Sequence, residues 1–171
     1  MTEPMGEEAD KPMLAGRSAG AGAVWGGLGA GARAAGYLGL LPFLLALGCV
    51  SLGARYGLAG LGMQIALVWG AVILTFIAAV HWGLALAGRW PWSAATVVGS
   101  TLPSVVAAVA VLVGDERGLA ILVAGFGAFW LFEHRAYAER LPAQYLELRR
   151  MLTLCVCALL VFTAFAAEGN S

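Results

Sequence analysis

Five residues able to do chemistry stand out against the apolar sequence around them: His81, Ser100, Thr101, Glu133 and Thr153. An imidazole beside a carboxylate can pass a proton or hold a polar ligand. An ionisable side chain within an apolar helix should face the protein interior and pair with something there. Counted inward from the nearest ends of the apolar runs, His81, Ser100, Thr101, Pro103 and Thr153 fall within one layer, roughly 4–14 Å deep at 1.5 Å per residue. Glu133 joins that layer if its helix runs on to about Tyr137. Pro42 and Pro103 lie at similar depth, and a proline inside a helix frees the carbonyl four residues earlier, here Leu38 and Gly99. The expectation is a polar pocket in which His81 pairs with Glu133, Ser100 or Thr101 completes the network, and Thr153 lies close by. The plainer reading is that these groups are helix–helix glue, each contact worth about 0.6 kcal/mol on average.

Other chemistries find little support. There is no Ser-His-Asp, HExxH, GxSxG or P-loop pattern, so no catalytic residue is assigned. Cys49, Cys155 and Cys157 all lie in apolar runs. Cys155 and Cys157 are about 200° apart around a helix, too far to chelate one ion, so the thiols read as buried small hydrophobes. The one other histidine, His134, sits at a run's edge, which disfavours a bis-histidine haem. No metal and no cofactor is expected. Arg149 and Arg150 could hold an anionic lipid head group, and their plainer role is as membrane anchors. The chain is formally neutral, so a nucleic-acid partner has no electrostatic support. Nine arginines against one lysine, with abundant Ala and Gly, read as the base composition of a GC-rich bacterium.

The elements that must position these residues are helices in lipid. The 171 residues are 61% hydrophobic and 12% charged, against about 25% charged in ordinary soluble domains. About 20 apolar residues in a helix cross the roughly 30 Å hydrocarbon core, and only helices or closed barrels satisfy their backbone polar groups there. The fold class is therefore all-α: a five-helix transmembrane bundle over residues 34–167, with a Gly/Ala-rich tail at 1–33 expected to be disordered and cytoplasmic, and a short C-terminal tail at 168–171. The crossings are expected near 34–52, 64–87, 94–113, 119–137 and 151–167. The fourth is the weak point. Its uncharged run, 119–132, reaches only about 21 Å, so either the bilayer thins or the helix continues through Glu133 towards Tyr137.

Orientation follows from charge. Lys11, Arg17, Arg33, Arg89, Arg135, Arg140, Arg149 and Arg150 fall on one side of five crossings, and only Arg55 and Arg117 on the other. Cytoplasmic loops are enriched in Lys and Arg, which predicts a cytoplasmic N-terminus and a periplasmic C-terminus. Trp90, Trp92, Tyr137 and Tyr145 would then form the interfacial aromatic belt on the cytoplasmic side. The spacing Ala79-x-x-x-Gly83-x-x-x-Ala87 would permit close helix contact.

Three stretches, "GYLGLLPFLLAL" (36–47), "ILTFIAAVHWGLAL" (73–86) and "LPAQYLELRRMLT" (141–153), with "STLPSVVA" (100–107) between them, resemble the domain of unknown function 3429 family, which includes the transmembrane protein 69 group of mitochondria. His81-Trp82-Gly83, and Leu148-Arg149 followed by Leu152-Thr153, carry the resemblance most specifically. The family usually has glycines before the His-Trp pair, where this chain has Ala78, Ala79 and Val80, and a Trp where Gln144 stands. The resemblance implies a small multi-spanning protein of a bacterial or mitochondrial inner membrane with no established activity. The acidic start, unlike an Arg-rich transit peptide, favours the bacterial inner membrane. The leading functional expectation is a non-enzymatic accessory or assembly protein whose partners are the lipid bilayer and other membrane proteins or copies of itself. The alternatives are a small transporter or proton-linked carrier using the pocket around His81 and Glu133, and a lipid- or quinone-acting membrane enzyme.

Overall fold

The computed structural model describes residues 29–137, 141 and 143–169. Most of the expected tail lies outside them, as do Arg140 and the last two residues. Among the described residues the protein is all-helical, and five of its helical stretches are long and apolar enough to cross a membrane. It is a polytopic membrane protein.

The first crossing is broken. Helices α1 (Ala30–Leu38) and α2 (Leu41–Ser51) are separated at Gly39 and Leu40, and α1 begins within the stretch expected to be tail. Pro42 lies in the first turn of α2, where its missing N–H would have had no helical partner anyway. The expectation that Pro42 frees the Leu38 carbonyl inside one continuous helix is therefore replaced by a different accounting. The Phe43 N–H turns to the Leu40 carbonyl at 3.1 Å, and the Trp69 indole N–H donates to the Gly39 carbonyl at 3.0 Å. A side chain from the next crossing thus satisfies backbone at the break, as lipid requires.

A single turn, α3 (Gly53–Tyr56), ends at Gly57, whose φ of +70° is the left-handed conformation that glycine adopts without strain. It leads into α4 (Ala59–Leu86), which at 28 residues is the longest helix among the described residues. Ser93 caps α5 (Ala94–Val113) by accepting the Thr96 N–H at 3.2 Å. The turn from α5 into α6 (Asp115–Tyr137) is minimal. Gly114 and Asp115 both have positive φ, and the Asp115 carboxylate accepts the Arg117 N–H at 2.8 Å. Aspartate is among the few residues that tolerate this region.

At 23 residues, α6 extends the short fourth run at both ends, back through "DERG" and on through "EHRAY", reaching about 34 Å. No thinned bilayer is needed, and Glu133 lies inside the helix. The last helix, α7 (Ala143–Glu168), starts eight residues before the expected position of 151. The second crossing likewise starts at Ala59, ahead of the expected 64.

Consecutive crossings pack side by side, α2 on α4, α4 on α5, α5 on α6 and α6 on α7. The ring closes with α7 on α2, while α4 also reaches α6 and α7 across the centre. The buried face of α4 reads Gly62, Ala66, Gly70, Leu74, Ala78, His81 and Ala85, a near-regular four-residue step that lets neighbours approach closely. A Cβ added at Gly62 would come within 2.7 Å of the Ala46 carbonyl, and one at Gly70 within 2.7 Å of Leu122 Cδ1. The stripe singled out from sequence lies elsewhere: Ala79, Gly83 and Ala87 are exposed, and nothing stands within 4 Å of a Cβ at Gly83. The periodicity was equally good one residue away, and Ala and Gly are too frequent here for spacing alone to choose between the faces. Outward-facing Leu45, Phe76, Leu112, Phe162 and Phe165 complete an apolar exterior, as lipid surroundings require.

Candidate functional site

Three helices bring ionisable residues together near the end of the bundle where α6 passes to α7. His81 from α4, Glu133 from α6 and Arg149 from α7 are 1%, 2% and 7% exposed. Arg149 Nε donates to Glu133 Oε2 at 3.1 Å. The other carboxylate oxygen, Oε1, accepts the Tyr145 hydroxyl at 3.4 Å and stands 3.8 Å from His81 Nε2. That last separation is an electrostatic neighbour rather than a hydrogen bond. Glu133 is thus shared between an arginine, a tyrosine and a histidine. An uncompensated carboxylate at this burial would be severely unfavourable, so the arginine is what makes an acid tolerable here.

Aromatic rings enclose the histidine. Trp90 and Tyr137 stack at 4.1 Å between centroids and 13° between planes, and His81 lies 4.9 Å from Trp90 and 5.3 Å from Tyr137. The Phe129 ring meets His81 edge-on at 5.3 Å and has the Arg149 guanidinium over its face at 5.5 Å, a cation–π contact. The Tyr137 and Thr96 hydroxyls meet at 3.4 Å, and Thr96 Oγ1 donates to the Pro91 carbonyl at 3.2 Å. The α4–α5 loop is thereby tied to the end of α6, and Trp90 is held over His81.

The sequence-selected residues divide into two groups. His81 and Glu133 are neighbours, and Thr153 is buried one helical turn from Arg149 on the same face of α7. Ser100 and Thr101 do not reach the cluster. Both hydroxyls donate to the Val97 carbonyl of their own helix, at 3.0 and 2.8 Å, and Thr101 faces outward. A hydroxyl that bonds back to the preceding turn needs no partner from another helix, even in lipid.

Arg149 and Arg150, read together as head-group contacts, part company. Arg150 is exposed, and Arg149 points inward to Glu133. Three of the four residues assigned to an aromatic belt also point inward: Trp90 and Tyr137 are buried and Tyr145 bonds to Glu133, while Trp92 remains exposed. A usable signal was present. Arg149, Thr153, Val156, Leu160 and Thr163 recur at steps of four, three, four and three, the buried face of α7, and Arg150 falls off that series.

Among the described residues, four buried polar atoms of the cluster have no partner that meets hydrogen-bond geometry: His81 Nδ1 and Nε2, Arg149 Nη2 and Thr153 Oγ1. Such groups normally bind water or a ligand. Chemically the arrangement can hold a buried charge pair and small polar guests. Among the described residues no group of three His, Cys, Asp or Glu comes together in a way that could hold a metal ion.

A family model described as "Protein of unknown function (DUF3429)" matches residues 30–165, the span that contains all three ionisable residues. No curated protein and no solved structure matches the chain.

Proposed function

The chain belongs to the DUF3429 family, and from that premise we propose that it is a non-enzymatic accessory or assembly protein of a bacterial inner membrane. It acts by holding larger membrane proteins, or copies of itself, against its helices. Its N-terminus is cytoplasmic and its C-terminus periplasmic, on the strength of the eight-to-two bias of Lys and Arg between the two sides. The observation that carries the reading is the engagement of Glu133, both of whose carboxylate oxygens accept bonds from within the bundle. That carboxylate is committed to Arg149 and Tyr145 rather than offered to a substrate, so the cluster serves to fix the helices.

Affinity purification in mild detergent tests this. Stable, stoichiometric co-purification with a larger membrane complex, or a defined homo-oligomer, is the expected result. A protein that elutes as a lone monomer under all mild conditions would overturn it.

A second reading, a proton-linked carrier, is favoured by the four unpartnered polar atoms around His81. It is separated by proteoliposome assays. A pH gradient dissipated by the wild type and not by His81→Ala would favour the carrier.

A further inference from the structure

Helices α6 and α7 turn consecutive residues in opposite directions. Glu133 and Arg149 face inward and pair, while the next residues, His134 and Arg150, face outward into a groove of about 400 Å³ lined with Trp130, Leu146 and Glu147. That volume falls in the range of roughly 300–1,000 Å³ typical of small-molecule sites. The groove lies where the chain passes from apolar to polar. The apolar run of α6 ends at Phe132 and that of α7 begins at Met151, so His134, Glu147 and Arg150 lie on the polar end turns of the two spans, where bilayer head groups would meet them.

Its contents have a definite charge pattern. Arg150 supplies a fixed cation whose fork of donors suits phosphate oxygens. Glu147, one turn earlier on the same helix, supplies an anion, and the two form no ion pair with each other. The Trp130 and His134 rings stack at 5.6 Å and 13°, giving a flat wall, and Leu146 adds an apolar lining residue. A purely anionic ligand would be repelled by Glu147, and a purely cationic one by Arg150.

From this pattern we infer that the groove binds the head group of a zwitterionic glycerophospholipid carrying a primary ammonium. Arg150 takes the phosphate, Glu147 takes the ammonium, and the Trp130–His134 wall and Leu146 take the glycerol and the first acyl carbons. A quaternary ammonium has no N–H to donate to Glu147, and a phosphatidylglycerol has no cation for it, so both bind more weakly. The site faces away from the buried cluster and does not depend on the accessory role.

Native mass spectrometry of the full chain in mild detergent provides the test, with phosphatidylethanolamine, phosphatidylcholine and phosphatidylglycerol added at equal concentration. Phosphatidylethanolamine should be retained about tenfold over the other two, the worth of one charge-assisted hydrogen bond. Glu147→Gln should bring phosphatidylglycerol level with it, and Arg150→Gln should weaken retention of all three. Soluble glycerophosphoethanolamine should leave the bound lipid in place. Equal retention of the three lipids by the wild type, a wild-type preference for phosphatidylglycerol, an unchanged Glu147→Gln profile, or displacement by the soluble head group would each overturn the assignment. The wild-type comparison stands whatever the variants do, and both substituted residues are exposed, so the fold should be kept.

Discussion

The two ends of this bundle are held by different physics. Around Gly62, Gly70 and Gly118 the helices touch because a side chain has been removed: Gly62 meets the Ala46 carbonyl, Gly70 meets Leu122 and Gly118 meets the Ala110 carbonyl. Around Glu133 they touch because charge must be matched, with Arg149, Tyr145 and His81 gathered on one carboxylate under a lid of rings. The first kind of contact is local and tolerant of polarity elsewhere. The second draws on three helices, and neither Glu133 nor Arg149 can be withdrawn without leaving the other buried and uncompensated.

That contrast can be broken most sharply at Arg149. Arg149→Leu should destabilise the protein by about 3–5 kcal/mol, because it strands a buried carboxylate. The double replacement Glu133→Leu with Arg149→Leu should recover most of the loss, and a double-mutant cycle on unfolding in mixed micelles reads the difference. Equal damage in the single and double variants would place the energy in shape rather than charge.

At the other end, Gly62→Ala drives a methyl group against the Ala46 carbonyl, which is backbone and cannot swing aside. The expected cost is about 1–3 kcal/mol, read as a lowered melting temperature in detergent. Between the two regions, Trp69→Phe removes the donor to the Gly39 carbonyl. It should cost about 1–3 kcal/mol and increase amide exchange near the α1–α2 break. A smaller change is expected for His81→Leu. Among the described residues neither ring nitrogen has a partner that meets hydrogen-bond geometry, so a similar-sized apolar side chain should cost less than about 1.5 kcal/mol. The smallest effect belongs to Gly83→Ala, where the space is open. It should be neutral or stabilising by up to about 1 kcal/mol through helix propensity, and a substantial loss on its substitution would reveal a contact on that outer face.

The parts of this architecture that were legible in the sequence are those with one dominant cause. Exclusion of charge from five apolar runs follows from the cost of ions in lipid, and each run lies within one of the five crossings. A histidine and an acid in apolar surroundings called for each other, and His81 and Glu133 are neighbours. Where two causes predict the same residue, sequence alone misled. Arginine at a helix end serves positive-inside bias and interior pairing equally well, and it is the buried face of α7 that turns Arg149 inward to Glu133 and leaves Arg150 exposed. Tyrosine and tryptophan near such an end serve a membrane belt or a ring cage, and here Trp90 and Tyr137 form the cage. Ser100 and Thr101 had the right depth, but a hydroxyl can satisfy itself on its own helix, and depth carries no information about that choice.

Burial of Arg149 also bears on how the polypeptide is made. Until α6 and α7 come together its positive charge has no internal partner, and an unpaired cation in a bilayer-spanning helix is costly. Once α6 and α7 have come together, the same guanidinium is withdrawn into an internal ion pair. Closing α6 on α7 therefore turns a costly cation into a contact that keeps the finished helices shut.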